Sequence, residues 1–249
     1  QDSALAYGGP RLGPGDPDEY YGGLASVVVD GLARAGIPRC TGDYMATTWR
    51  YPLKTFEQYF HRWVRDPLPS DLLKAEIFLD VRPVHGDLDV GLLDDILVAG
   101  GQRGSFLMQM ARATVTFRPP MTVLGHVRTD HGYLDIKRSG TAAIVLLARL
   151  YALAAGSNAR STLLRLRVAA DAGTLSRSGV EQLTDAYRLL TELRLKHQVE
   201  QVRSGVVPDN RVRVDGLPPA ERRRLRAAIR TVRVLQEITA NRFQTHTVT

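Results

Sequence analysis

The 249-residue sequence contains one cysteine, Cys40. A single thiol excludes an internal disulfide and a cysteine-ligated metal cluster, and such sparing use suits a cytoplasmic protein. Between Arg39 and Thr41 this thiol is either an activated group or a small packed hydrophobe, and the second is expected. No apolar run is long enough to span a bilayer; the stretch 142–153 is interrupted by Arg149. The six histidines include no His-x-x-x-His pair of the kind that ligates zinc on a helix. Neither a Gly-x-Ser-x-Gly elbow nor a Gly-x-x-x-x-Gly-Lys phosphate loop occurs. The glycine-rich stretch 8–15 has no Lys-Ser after it and reads as a loop.

What is present is a globular composition, 44% hydrophobic and 24% charged, with a net charge of +7. Its length allows one large domain or two ordinary ones. The arginines crowd into the C-terminal half, at 160, 165 and 167 and again at 222–224, 226, 230 and 233. A nucleotide phosphate or an acidic protein partner accounts for that surplus as well as nucleic acid does. Charge is a footprint and not a code, so nucleic acid is not the expected partner.

Periodicity organises the chain. Residues 8–23 read as a Gly/Pro/Asp loop, and 24–35 have helical spacing that stops at Gly36. A short aromatic helix over 55–64 is closed by Pro67 and Pro69. The segment 72–84 reads as a strand, and 88–98 returns to helical spacing. A helix over 106–115 follows the Gly100-Gly101 breaker. The alternation of 124–136 around His131-Gly132 reads as a β-hairpin or a pair of short strands. From 141 onward the pattern is helical: 141–155, 161–172, a helix opened by a Ser178-Gly179-Val180-Glu181 capping box, and a last helix opened by Pro218-Pro219. Residues 245–249 read as a disordered tail. The expected architecture is α+β, with a small mixed region over 1–120 and a helical bundle over 121–249. A ligand site at their junction is the default expectation.

Two acidic positions stand out. Asp80 sits in the apolar run Ile77-Phe78-Leu79-Asp80-Val81, just before Arg82-Pro83. A carboxylate buried there needs a cation, either Arg82 in a structural pair or a metal ion. The chain opens Gln1-Asp2-Ser3-Ala4-Leu5, with no initiator Met and no signal-peptide pattern. It is therefore expected to be a piece of something longer, with Asp2 at the entrance of a first strand or as a frayed terminal acid.

Asp2-Ser3-Ala4-Leu5 resembles the end of the Asp-x-Asp motif of DNA polymerase beta-type nucleotidyltransferases. The segment from Asp80 to Gly86 is similar to the Asp-x-Arg-x-Arg-Pro-x-Gly stretch of glutamine synthetase adenylyltransferase and PII-protein uridylyltransferase. The fuller resemblance is to bacterial nucleotidyltransferases that follow cyclic-nucleotide-binding and CBS domains. It rests on an ordered set: Cys40-Thr41-Gly42-Asp43-Tyr44-Met45-Ala46 with Trp49-Arg50, the Asp80 segment, Leu134-Asp135-Ile136-Lys137, and Arg194-Leu195-Lys196-His197-Gln198. The family's Gly-Ser motif and the first acid of Asp-x-Asp would lie before Gln1, which marks the chain as N-terminally truncated.

The resemblance implies a partial polymerase-beta-type sheet followed by a helical substrate-binding domain. It implies transfer of a nucleoside monophosphate from a nucleoside triphosphate to a protein or small-molecule acceptor in signalling, with sensory domains upstream. Magnesium, or manganese, would be held by Asp2 and Asp80 on adjacent strands, and Asp80 would contact the nucleophile. Arg82 belongs to the nucleotide or substrate site. Asp135 and Lys137, with one residue between them, point to one strand face; either Lys137 touches phosphate and Asp135 orients it, or the two belong to a cross-strand ion pair. Arg194, His197 and Gln198 line the cleft or remain surface residues. A catalytically silent nucleotide-sensing module is the rival reading.

Overall fold

The computed structural model describes residues 1–9, 16–42, 44–68, 75–122 and 125–245. The chain divides into two compact units, Gln1–Leu97 and Val98–Thr249. Among the described residues, no helix is long and apolar enough to cross a membrane.

The first unit is a mixed α+β region. Strand β1 (Leu5–Tyr7) pairs in parallel with β2 (Arg50–Pro52). A parallel pair needs a crossover, and helix α1 (Pro17–Arg34) supplies it. This helix starts seven residues before the expected 24. Asp16 caps it by accepting from the Asp18 N–H at 3.0 Å, and Pro17 occupies the first turn, where its missing N–H costs nothing. Helix α2 (Leu53–Arg65) buries Phe56, Phe60, Trp63 and Val64 on one face. Those rings join Trp49 and Phe78 in a cluster; the Trp49 and Phe78 centroids are 4.5 Å apart.

The expected Asp80 strand is not formed. Residues 75–78 are helical and 79–80 turn, with Leu79 N–H bonded to the Ala75 carbonyl at 2.8 Å and Val81 N–H to that of Phe78 at 3.1 Å. Ala75, Phe78 and Leu79 are the buried apolar positions, at helical spacing. A short apolar run fits either period, and burial of the i, i+3 and i+4 positions selected the helix. Residues 69–74, which include the first three of the expected strand, lie outside the described residues, as do 10–15 of the 8–23 loop, Asp43, 123–124 and the tail 246–249. Helix α3 (Gly91–Gly100) spans the division between the units.

The second unit is mainly helical: α4 (Gly104–Thr116), α5 (Ala142–Ala154), α6 (Thr162–Asp171), α7 (Arg177–Arg203) and α8 (Pro219–Arg242). Helix α5 is its centre, with ten of its thirteen residues buried. Leu183, Leu190, Leu225, Ile229 and Val232 close over it from α7 and α8. The cap of α7 is Ser176, whose hydroxyl accepts from the Gly179 N–H at 3.1 Å. The expected box at Ser178 lies two residues inside the helix.

Of the two readings of 124–136, the hairpin is corrected, while a short strand does form at 133–135. The turn exists: Asp130 and Tyr133 bridge, with His131 (φ 50°) and Gly132 (φ 83°) in the left-handed region. Strand β3 (Tyr133–Asp135), however, pairs antiparallel with β4 (Arg211–Arg213), a strand the sequence reading did not anticipate. A five-residue π-helical turn, Lys137–Thr141, follows β3 and leads into α5.

Candidate functional site

In the first unit, the segment before β1 is tied to residues 44–49. Ser3 N–H donates to the Tyr44 carbonyl and Leu5 N–H to that of Trp49, both at 2.9 Å. The Ser3 hydroxyl accepts from the Ala46 N–H at 3.1 Å. These bonds fix Asp2, which is exposed. Its charge is felt at Tyr44, whose hydroxyl is raised above its ordinary value first by burial and then by Cys40 and Asp2. Cys40 is itself half-buried. Arg50 locks β2 to the first turn of α1 through a two-pronged bond to Asp18, at 3.0 and 2.8 Å.

Asp80 follows directly on Phe78-Leu79, which the Trp49 ring anchors. Asp80 and Arg82 are both exposed, so the buried Asp–Arg pair is not what the fold contains. Nor do the two acids lie on adjacent strands: Asp2 precedes β1, and Asp80 is in a turn. Each is instead within two residues of a contact to the 44–49 segment, through Ser3–Tyr44 and Phe78–Trp49. Among the described residues, no three His, Cys, Asp or Glu side chains are grouped to hold a metal ion.

In the second unit the fold gathers five of the residues singled out from the sequence around one turn, Asp209-Asn210. Arg194 Nε donates to Asn210 Oδ1 at 2.7 Å. Gln198 Nε2 donates to the Asp209 carbonyl at 3.1 Å, and His197 Nε2 lies 2.8 Å from Asp209 Oδ1. Their spacing on α7 puts all three on the face toward this turn. On the other side the Asn210 carbonyl accepts from Ile136 N–H at 2.9 Å, between Asp135 and Lys137. The His197 hydrogen bond, followed by that from the Arg211 N–H, holds the Asp209 carboxyl below the ordinary carboxylate range.

Asp135 and Lys137 do not share a strand face, because β3 ends at Asp135. Asp135 Oδ1 accepts from Arg138 N–H at 2.8 Å and so shapes the π-helical turn, while Lys137 is exposed. The ion pair reaching across from β4 is Arg211–Asp130, at 2.7 Å. Asp209, Asn210 and Gln201, whose Oε1 accepts from the Asp209 N–H at 2.9 Å, escaped the sequence reading. The signal for them was Pro208-Asp209-Asn210, a turn tripeptide that starts ten residues beyond Gln198.

Residues 1–70 match the family model described as "Putative nucleotidyltransferase DUF294", and residues 104–243 that described as "Putative nucleotidyltransferase substrate binding domain". Comparisons with curated proteins and with solved structures returned no match. The second model spans more than half of the sequence, and the chain belongs to this nucleotidyltransferase-associated family.

Proposed function

We propose that the chain is a magnesium-dependent nucleotidyltransferase of the DNA polymerase beta type. It moves a nucleoside monophosphate from a nucleoside triphosphate to a protein or small-molecule acceptor in cytoplasmic signalling. The observation that carries this reading is the order of the two family matches, a nucleotidyltransferase segment followed by a substrate-binding segment. We assign the core to 1–120 and the substrate domain to 121–249.

Asp2 and Asp80 are the proposed ligands of Mg2+ or Mn2+. Both are exposed, and magnesium is commonly held by one or two carboxylates together with substrate phosphates and water, so the donor set suits it in kind. Bound there, the ion would neutralise charge on the triphosphate. The protein's own part is positioning and electrostatics, which phosphoryl-type transfer chiefly requires. Asp80 contacts the acceptor's nucleophile and takes its proton. Arg82 and Lys137 offer exposed cations to phosphate, and Asp135 sets the turn that carries Lys137. Arg194, His197 and Gln198 serve the substrate side through the Asp209-Asn210 turn.

The test is transfer of label from ATP, UTP, GTP and CTP, with magnesium, into cell extract, run beside Asp80→Asn. Asp80 is exposed, and circular dichroism of the variant beside the parent checks that the fold is kept. Label on a discrete acceptor, lost in Asp80→Asn, supports the proposal. Full transfer by Asp80→Asn would remove Asp80 from the mechanism. Nucleotide binding without transfer would favour a catalytically silent nucleotide-sensing module.

A further inference from the structure

The net charge of +7 conceals a division. The first unit carries 9 Lys and Arg against 15 Asp and Glu, a net of −6; the second carries 24 against 11, a net of +13. Within the second unit, a cleft of about 480 Å3 opens where the end of α4 and the following loop meet α8, with Val115, Arg118, Met121, Arg233, Gln236, Glu237 and Asn241 in its wall; Glu237 is the one carboxylate among them, and it is paired with Arg233. A volume of this size suits a small molecule.

Three features of its wall are complementary to one kind of ligand. The first is cationic. Arg118 is exposed and makes no side-chain ion pair or hydrogen bond among the described residues. Among the described residues Arg233 gives only its Nε to Glu237, at 3.0 Å, leaving the terminal nitrogens of the guanidinium. Arg230, one turn before Arg233 on α8, extends the charge over the loop: its guanidinium would come within 3.2 Å of a Cβ placed on Gly125.

The second feature is a buried acceptor. Gln236 is 4% exposed. Its amide nitrogen donates to the carbonyls of Thr114 (2.9 Å) and Phe117 (3.0 Å), which fixes the orientation of the amide. Among the described residues its side-chain oxygen has no hydrogen-bond partner. A buried acceptor without a donor is costly, and a ligand N–H or O–H is the partner it lacks. The third feature is apolar: Val115 and Met121 offer surface to a non-polar body, and methionine adapts to varied shapes.

We infer that this cleft is a binding site for a small organic anion, a phosphate ester or a carboxylate, that also carries an N–H or O–H donor and an apolar body. Arg118 and Arg233 take the anionic group, and Gln236 accepts from the donor. The site does not require nucleotidyl transfer, so its failure and that of the proposed function are separable.

The test uses the full chain, labelled with 15N, and three probes: AMP, N-acetyltyrosine and inorganic phosphate. Binding of AMP or N-acetyltyrosine should shift the Gln236 side-chain amide resonance. Arg118→Gln, a change at an exposed position, should weaken that binding about tenfold or more, as loss of a charge-assisted hydrogen bond does. Arg188→Gln, in the separate groove between α6 and α7, should leave it unchanged. AMP preference identifies the phosphate source, and N-acetyltyrosine preference the carboxylate source. The inference is overturned if neither organic probe binds by about 10 mM, if Arg118→Gln binds as tightly as the parent, or if inorganic phosphate binds as tightly as either organic probe.

Discussion

Arg194 Nε reaches Asn210 Oδ1 at 2.7 Å, while the backbone carbonyl of the same asparagine accepts from Ile136 N–H at 2.9 Å. One residue thus links the long helix α7 to the end of β3. The β3–β4 ladder has only three residue pairs and would be marginal alone. Its register depends on this link, and Lys137 leaves β3 where the link is made.

Replacing Asn210 by Ala should therefore destabilise the second unit. The Arg194 guanidinium would lose its acceptor in a half-buried setting, and the cost should be about 1–3 kcal/mol. Arg194→Lys should not restore the bond geometry, since an ammonium lacks the planar fork. Urea denaturation followed by circular dichroism measures both changes.

Asp209 predicts a pH dependence. Its carboxyl is held low by the His197 hydrogen bond, so the folded state favours the ionised form. This contribution is present above the unfolded value of about 3.9 and is lost as pH falls through the lower folded value. Asp209 is half exposed, which keeps the effect small. Asp209→Asn should be less stable than the parent at pH 5–7, and the two should converge as pH falls through the lowered folded value. Parallel denaturation curves across that range provide the check.

Gly101 should tolerate no side chain. A Cβ there would lie 2.1 Å from the Leu153 carbonyl oxygen, a backbone atom that cannot rotate away. Gly101→Ala must push the chain before α4 off the end of α5, at a cost of about 1–3 kcal/mol. A fall in Tm of several degrees is expected by calorimetry.

Phe78 should matter to any activity that uses Asp80. Its ring packs on Trp49 at 4.5 Å and on Trp63 at 5.5 Å. Phe78→Leu keeps an apolar group but loses the ring contacts, worth about 0.5–1.5 kcal/mol for an aromatic pair. Nucleotidyl transfer should fall while the protein remains folded. Transfer at the parental rate would show that the Asp80 turn is not positioned by this cluster.

The helices of the second unit were legible because each carries an apolar face at helical spacing between clear stops. Leu183 and Leu190 on α7, and Leu225, Ile229 and Val232 on α8, could be identified as core positions before any neighbour was known. The family motifs were legible for a different reason: they are local strings of residues. What local reading missed has one cause. Ile77-Phe78-Leu79 is too short to declare its period, and the burial of Phe78 against Trp49, 29 positions earlier, made it helical. The partner of β3 lies 76 positions later, and no spacing rule connects Leu134 to Val212.

The sequence by itself determined the helical framework, the acidic and basic halves, and the family, since composition, period and motif are properties of neighbouring residues. Only the tertiary structure decided that Arg194, His197 and Gln198 grip the Asp209-Asn210 turn beside Lys137. It also decided that, among the described residues, Gln236 is left with an unmet acceptor in the same cleft wall as Arg118. A hydrogen bond needs two groups within about 3 Å, and which distant groups come that close is set by how the helices pack.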